Sequence, residues 1–152
     1  MSESSPPRRA LSGIRSRGPL VLLVEEDEVV RTLYAAELVS SGFMVVEAAD
    51  GAEAIEMVAQ YGPHAIVLDL MLPGVDGFKV ARRLRAVDSE QDIAIVGLSS
   101  QKSETLALGA GCDAFLTKPV LGAALVGAIV RLLARRSRRA SDPDLLGLTR
   151  AR

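Results

Sequence analysis

The chain has 152 residues, of which 49% are hydrophobic and 24% are charged, and its formal net charge is −1. These values are typical of one domain with an ample core, and they exclude a chain that is disordered throughout. The longest apolar run is too short to span a bilayer, no secretory segment is visible, and the single cysteine, Cys112, cannot form an intrachain disulfide. We therefore expect a cytoplasmic protein with no membrane span.

The charges are segregated along the sequence. Residues 1–18 contain four arginines and one glutamate, residues 131–152 contain seven arginines and two aspartates, and most of the acids lie between these ends. This distribution predicts a basic disordered tail at residues 1–18, a folded domain at residues 19–136 and a second basic disordered tail at residues 137–152. Because neither tail has room for one, we expect no DNA-binding domain.

The first half of the chain is predicted to contain two strands that alternate with two helices. In order, these elements are expected at residues 20–24, 29–40, 43–48 and 51–61. The first strand ends on four consecutive acids at residues 25–28, a grouping that is electrostatically costly unless a positive charge neutralises it. In the first helix the apolar residues Val30, Leu33, Tyr34 and Leu38 fit helical spacing, which predicts that they pack against the sheet.

The second half of the chain is predicted to contain three strands and three helices. In order, they are expected at residues 65–68, 77–86, 93–98, 103–109, 113–117 and 121–136. Asp76 is the expected N-cap of the helix at residues 77–86. Most of the strands are unbroken apolar runs, which is typical of a parallel sheet that is covered on both faces. The sequence therefore predicts an α/β fold with right-handed crossovers.

Residues with chemically active side chains follow the C-terminal ends of four predicted strands. Glu25 and Glu26 follow the first strand, Asp69 the third, Ser99 the fourth and Lys118 the fifth. A parallel fold gathers these ends along one edge of the sheet. The carboxylates predict a site for a hard cation such as Mg²⁺, and Asp69 beside it could act as a nucleophile towards phosphorus. Taken alone, Asp69 would fit a turn residue equally well.

The chain resembles the receiver domain of two-component response regulators, over about residues 20–135. Four motifs carry this resemblance, namely the acidic pair after Val24, residues 68–77, the pair Ser99 and Ser100, and residues 115–119. The resemblance implies a flavodoxin-like, CheY-like five-stranded sheet in the order 2-1-3-4-5. It also implies that Asp69 accepts a phosphoryl group from a histidine kinase or a histidine phosphotransfer protein.

The family's ligand set and switch residues can be placed on this sequence. The resemblance implies that Mg²⁺ binds Glu26, Asp69 and the backbone carbonyl of Met71, with Glu25 as a further ligand through water. It also implies that Lys118 and Ser99 act on the phosphoryl group.

Ser99 would then form a switch pair with Phe115 that reports phosphorylation to an unknown downstream protein target. Such a protein is not an enzyme beyond its own phosphotransfer and autodephosphorylation. The resemblance also implies a possible homodimer. The usual dimer cannot simply be carried over, because the segment between Ser99 and Lys118, on the surface that commonly mediates dimerisation, is shorter than is usual in the family by nearly one helical turn.

Two other functions stay open beside a single-domain response regulator. The family usually has Asp where this chain has Glu26, and Mg²⁺ tolerates little departure from octahedral geometry. A pseudo-receiver scaffold that binds partners without phosphorylation is therefore one alternative. A phosphatase with an Asp69 nucleophile is a remote one, because such enzymes need a second Asp where this chain has Met71.

Overall fold

The computed structural model of the protein describes residues 18–72, 74–88 and 92–141. Within these residues five strands and five helices alternate, as the sequence predicts. They are β1 (Leu20–Val24), α1 (Glu28–Ser40), β2 (Met44–Ala48), α2 (Gly51–Tyr61), β3 (Ala65–Asp69), α3 (Gly77–Val87), β4 (Ala94–Ser99), α4 (Glu104–Gly109), β5 (Ala114–Thr117) and α5 (Gly122–Ala140).

The strands form one parallel sheet in the order β2-β1-β3-β4-β5. The expected flavodoxin-like order is therefore confirmed. The register aligns Val24 with Leu68, and Ser99 with Thr117, so the C-terminal ends of these strands lie in one row. Because the strand order reverses beside β1, this row borders the crevice in which open α/β sheets place their chemistry.

Helices cover both faces of the sheet, so the domain has two hydrophobic cores. Successive side chains of β1 point alternately into one core and the other. Leu22 and Val24 pack into a core beneath α2, α3 and α4, whereas Val21 and Leu23 pack into a second core beneath α1 and α5. Each fully buried aliphatic side chain of this kind contributes about 1.5 to 3 kcal/mol. The strand that precedes the acidic residues is thus firmly anchored.

Two details differ from the sequence-based expectations. Leu33 belongs to the apolar set predicted for the buried face of the first helix, yet it is 64% exposed, because it lies about 140° around α1 from the buried Leu38. Helix α5 continues to Ala140, past the predicted end at residue 136, since its last turns are rich in arginine, a good helix former. The rest of the predicted C-terminal tail, at residues 142–152, and residues 1–17 of the predicted N-terminal tail lie outside the described residues.

Helix α5 is 19 residues long, the greatest length among the described helices. In the part of the chain that the structure describes, no helix combines the length and the apolar character needed to cross a membrane.

Cys112 lies just before β5 and is buried, and burial raises the pKa of its thiol to about 11. It is therefore a structural residue that stays protonated at neutral pH.

Candidate functional site

Asp69 is the last residue of β3, and its side chain is buried, with 6% of the residue exposed. Its Oδ1 accepts a hydrogen bond from the backbone N–H of Met71 at 2.9 Å, which stabilises the turn after the strand. Its Oδ2 accepts a hydrogen bond from Lys118 Nζ at 2.9 Å. Asp69 is thus a turn residue and, at the same time, half of a buried ion pair.

Glu25 is the second acid of this ion-pair cluster. It directly follows β1, is 3% exposed, and its Oε2 accepts a hydrogen bond from Lys118 Nζ at 3.2 Å. The backbone N–H of Lys118 donates to the carbonyl of Ser99 at 2.8 Å, which fixes the start of this side chain at the end of β4. One ammonium group from the end of β5 therefore bridges acids at the ends of β1 and β3.

The two acids have opposite pKa shifts. Burial raises the pKa of Glu25 to about 7, and a hydrogen bond with Asp69 and the charge of Asp69 add to this effect, whereas Lys118 opposes it. For Asp69, burial also acts to raise the pKa, but hydrogen bonds from Glu25, Met71 N–H and Lys118 outweigh it and keep the pKa below 3.8. Near neutral pH, Asp69 is therefore ionised and Glu25 retains a proton over part of the population.

Lys118 is charged throughout the neutral range. Burial acts to lower its pKa, but the hydrogen bonds and charges of Asp69 and Glu25 raise it above 10.5. The cluster therefore carries one firm negative charge, one firm positive charge and one titratable acid.

We expect the free energy of unfolding to fall as pH rises from about 5 to about 7.5. Glu25 has a higher pKa in the folded protein than its ordinary value of 4.5, so its stabilising contribution is complete at low pH and is lost as pH rises to about 7. Asp69 acts with the opposite sign, but only as pH falls below 3.8. After allowance for solvent screening we expect a change of about 1 to 2 kcal/mol.

Urea unfolding in the presence of a chelator measures this slope. Glu25→Gln should abolish it, because glutamine does not titrate, whereas Glu56→Gln on the exposed side of α2 should retain it. An unchanged slope in Glu25→Gln would contradict the assignment of the raised pKa to this residue.

The structure places Glu26 differently from its neighbour. Its side chain is exposed, and among the described residues its carboxylate makes no hydrogen bond or ion pair. Its backbone carbonyl accepts a hydrogen bond from Arg31 Nη1 at 3.2 Å. The acid that meets Asp69 is thus Glu25, and the role of Glu26 as a direct metal ligand stays a prediction.

The side chains of Ser99 and Phe115 make no hydrogen bond to the side chains of Glu25, Asp69 or Lys118, although the backbone carbonyl of Ser99 accepts from the N–H of Lys118. Ser99 is fully buried at the end of β4, and its Oγ accepts a hydrogen bond from the backbone N–H of Gln101 at 3.1 Å. Phe115 lies on β5 opposite Gly97, is half-buried, and lines a shallow cavity of about 500 Å³ beside α4. Their roles as phosphoryl-binding and switch residues stay predictions.

Two further residues shape the site, and the sequence reasoning missed both. Arg31 Nη1 donates to the carbonyl oxygens of Glu25 at 2.8 Å and Glu26 at 3.2 Å, so it stabilises the acidic loop from the first turns of α1. A Cβ atom on Gly77 would overlap the backbone of Leu70, so only glycine lets α3 begin this close to the turn after β3. Two sequence features could have indicated these roles. One is the arginine a few residues after the acidic run, and the other is the Asp-Gly pair at the start of α3.

The chemistry of this donor set fits a hard divalent cation. Glu25 and Asp69 present carboxyl oxygens to each other, and a cation in place of the Glu25 proton would relieve their repulsion. Within the described ranges, no three histidine, cysteine, aspartate or glutamate side chains come together to bind a metal. A cation here would also need backbone oxygen and water, which is the coordination that Mg²⁺ favours.

Comparison with known sequences gives one family. The sequence profile of the response regulator receiver domain matches residues 21–130. The transcriptional regulatory protein AfsQ1 of Streptomyces coelicolor is 35% identical over 129 residues, which are 85% of this chain and 57% of the relative. The transcriptional regulatory protein PrrA of Mycobacterium tuberculosis is 39% identical over 125 residues, 82% of this chain and 54% of the relative. The chain thus spans little more than half the length of these relatives.

A solved structure agrees with the fold. The receiver domain of the sensor histidine kinase PA1611 from Pseudomonas aeruginosa superposes with a TM-score of 0.70 at 32% identity, over 77% of this chain and 98% of that one. That structure has a magnesium ion coordinated in its active site cleft.

The relatives correct one prediction. We expected no DNA-binding domain among the partners, and this is contradicted, because AfsQ1 and PrrA are transcriptional regulatory proteins and the match reaches only their receiver part. The short tails on which the expectation depended say nothing about the output of a longer protein.

Proposed function

Because the chain belongs to the response regulator receiver family, we propose that it is a phosphorylation-dependent signalling module whose phosphoacceptor is Asp69. The observation that carries this proposal is the buried Asp69 carboxylate at the end of β3, with Lys118 Nζ on one of its oxygens at 2.9 Å. A carboxylate that is ionised at neutral pH and aligned by two hydrogen bonds is a competent nucleophile.

In the proposed step, an oxygen of Asp69 attacks the phosphorus of a phosphohistidine donor. The new P–O bond forms as the P–N bond breaks, and the imidazole leaves with the electron pair and takes up a proton. Lys118 already contacts the attacking carboxylate, so its ammonium group is placed to neutralise phosphoryl oxygens as they arrive. Phosphoryl transfer depends mainly on such positioning and electrostatic stabilisation.

We propose that Mg²⁺ is held by the carboxylates of Asp69 and Glu26 and the carbonyl of Met71, with Glu25 interacting through water. When bound, the ion would offset the repulsion between the carboxylate and the incoming phosphoryl oxygens. Arg31 supports this arrangement, because it fixes the backbone of Glu25 and Glu26 through their carbonyl groups.

The proposed turnover is limited to the protein's own phosphoryl group, which it accepts and then loses by hydrolysis. The relatives AfsQ1 and PrrA are named transcriptional regulatory proteins, so we propose transcriptional control as the process that the phosphorylation state of this chain serves. Ser99 and Phe115 are the proposed switch pair between Asp69 and the face of β5 and α4.

Incubation of the chain with acetyl phosphate and Mg²⁺, followed by intact-mass analysis, tests this function. We expect a mass increase of one phosphoryl group that hydroxylamine removes, as an acyl phosphate requires, and peptide mapping should place it on Asp69. An unmodified protein, or an adduct on a serine that resists hydroxylamine, would exclude the proposed phosphoacceptor.

The pseudo-receiver scaffold is the second candidate function, and the exposed Glu26 carboxylate is the observation that favours it. We expect Glu26→Asp to bind Mg²⁺ roughly tenfold more tightly, because the shorter side chain suits the small octahedral shell of the ion. Isothermal titration calorimetry measures this affinity, and Glu28→Asp on the exposed start of α1 is the matched control.

The same variant separates the two functions. If the chain is a signalling module, both the wild type and Glu26→Asp should be phosphorylated. If the chain is a scaffold because Glu26 impairs its metal site, only Glu26→Asp should be phosphorylated. Equal Mg²⁺ affinity in the wild type and the variant would contradict a ligand role for this position.

A further inference from the structure

The C-terminal half of α5 carries an exposed arginine stripe, which we define as Arg131, Arg135, Arg138 and Arg139. At about 100° per residue these positions fall within about 100° of arc, and they span about 12 Å along the helix axis. Their side chains therefore form one continuous basic surface next to the buried face of the helix.

The stripe arginines have no direct ion-pair partner within the described residues. Arg136, which adjoins the stripe, pairs with Asp113 at 2.9 Å, and this one carboxylate shares a cavity with three of the stripe arginines without forming an ion pair with them. The next acids along the chain, Asp142 and Asp144, lie outside the described residues. Most of the positive charge of the stripe is therefore available to a partner from outside the domain.

The stripe also lies away from the phosphoacceptor. Arg136 and Ser137 line a cavity with Pro19 and His64, which lie before β1 and β3, so this end of α5 is at the N-terminal edge of the sheet. Asp69 lies at the C-terminal edge. A partner of the stripe would therefore leave the crevice at Asp69 accessible.

We propose that the arginine stripe binds the phosphate backbone of double-stranded nucleic acid without reading its base sequence. Guanidinium groups form paired hydrogen bonds with phosphate oxygens, and a row of them along a helix suits the regular spacing of phosphates on a duplex. The negative end of the helix dipole opposes anions here, but it amounts to only about half a charge against four arginines.

An anionic membrane is a poorer match to the same charges. A helix that binds a membrane surface inserts an apolar face beside its basic one. In α5 the large apolar side chains Leu125, Ile129 and Leu132 are buried in the core of the domain instead, and Val130 is the one large apolar side chain of this helix that is exposed. A single exposed valine is not an apolar face that could insert into a bilayer, so the stripe fits a phosphate backbone better.

Fluorescence anisotropy of the full chain with a labelled, mixed-sequence DNA duplex over a range of NaCl concentrations tests the proposal. The slope of log K against log salt should fall in magnitude by about 1.8 in Arg135→Gln/Arg139→Gln, because two phosphate contacts are lost. Arg82→Gln/Arg83→Gln, on the exposed side of α3, removes the same net charge and should leave the slope unchanged. Thermal unfolding followed by circular dichroism should show that both variants are folded.

Three outcomes would overturn the proposal. Equal loss of slope in the two double variants would mean that net charge alone governs binding. Arginine-dependent binding to vesicles with anionic lipid, without binding to the duplex, would assign the stripe to a membrane. A change of oligomeric state in the stripe variant alone would assign it to a protein contact.

Discussion

Asp69→Asn is expected to carry no phosphoryl group after incubation with acetyl phosphate and Mg²⁺ under conditions that modify the wild type. Asparagine keeps the shape of the side chain and can accept the hydrogen bond from Met71 N–H through its amide oxygen. Its amide, however, is no nucleophile, and it forms no ion pair with Lys118. The effect should therefore be complete loss of the adduct in a folded protein, measured by intact mass.

Asp76→Asn is the matched control for this substitution. Asp76 lies in the loop after β3, is exposed, and caps α3 by accepting a hydrogen bond from the backbone N–H of Phe78 at 2.9 Å. Asparagine caps helices as well as aspartate does, so phosphorylation should be retained. If Asp69→Asn were still modified, the phosphoryl group would have to reside on another residue.

Asp69→Asn should also change the pKa of Glu25, an effect that a measurement of phosphorylation does not detect. The charge of Asp69 and its hydrogen bond both raise the pKa of Glu25, in addition to burial. Without that charge, Glu25 should ionise at lower pH, and the dependence of stability on pH should weaken. A slope as steep as that of the wild type would mean that burial alone sets the pKa of Glu25.

The sequence was sufficient to predict the gathering of Asp69 and Lys118. The strand before Asp69 is an unbroken apolar run and the strand before Lys118 is mostly apolar, so both are expected in a parallel sheet, and the C-terminal ends of parallel strands share one edge. The apolar pattern of the strands was therefore enough to predict that the two residues lie along the same edge.

The choice between Glu25 and Glu26 could not be made in this way. The N–H of Glu25 donates to the carbonyl of Ala48 at 3.1 Å, which extends the pairing of β1 with β2 by one residue and keeps Glu25 in the buried row. Glu26 lies beyond that bond and turns outward. Where a strand stops depends on pairing with its neighbour, which local sequence does not encode.

Ser99 and Leu33 show two other limits of local reasoning. The Ser99 hydroxyl accepts a hydrogen bond from its own loop, at Gln101, a contact set by the backbone path after β4. Leu33 satisfies helical periodicity, but the width of the packed face depends on how closely α1 approaches the sheet. Both outcomes depend on tertiary geometry.

Lys118→Met should slow phosphorylation of Asp69 by roughly 100-fold or more, the usual cost of losing one charged group that stabilises a developing anion. Methionine retains the length and the apolar stem of the lysine but provides no donor to Asp69 or Glu25. Lys118→Arg keeps the charge and should recover part of the rate. Lys102→Met, in the exposed loop before α4, is the control.

Lys118→Met should also lower the free energy of unfolding, and the pH dependence of this loss shows whether the missing charge causes it. Lys118→Met leaves Glu25 and Asp69 buried without a counter-charge, which should cost about 1 to 3 kcal/mol near pH 8. The loss should shrink towards pH 5, because a proton taken up by Glu25 replaces the missing cation, so urea unfolding at both pH values measures it. A loss independent of pH would indicate a packing defect instead. A wild-type phosphorylation rate would show that Lys118 has no part in the transfer.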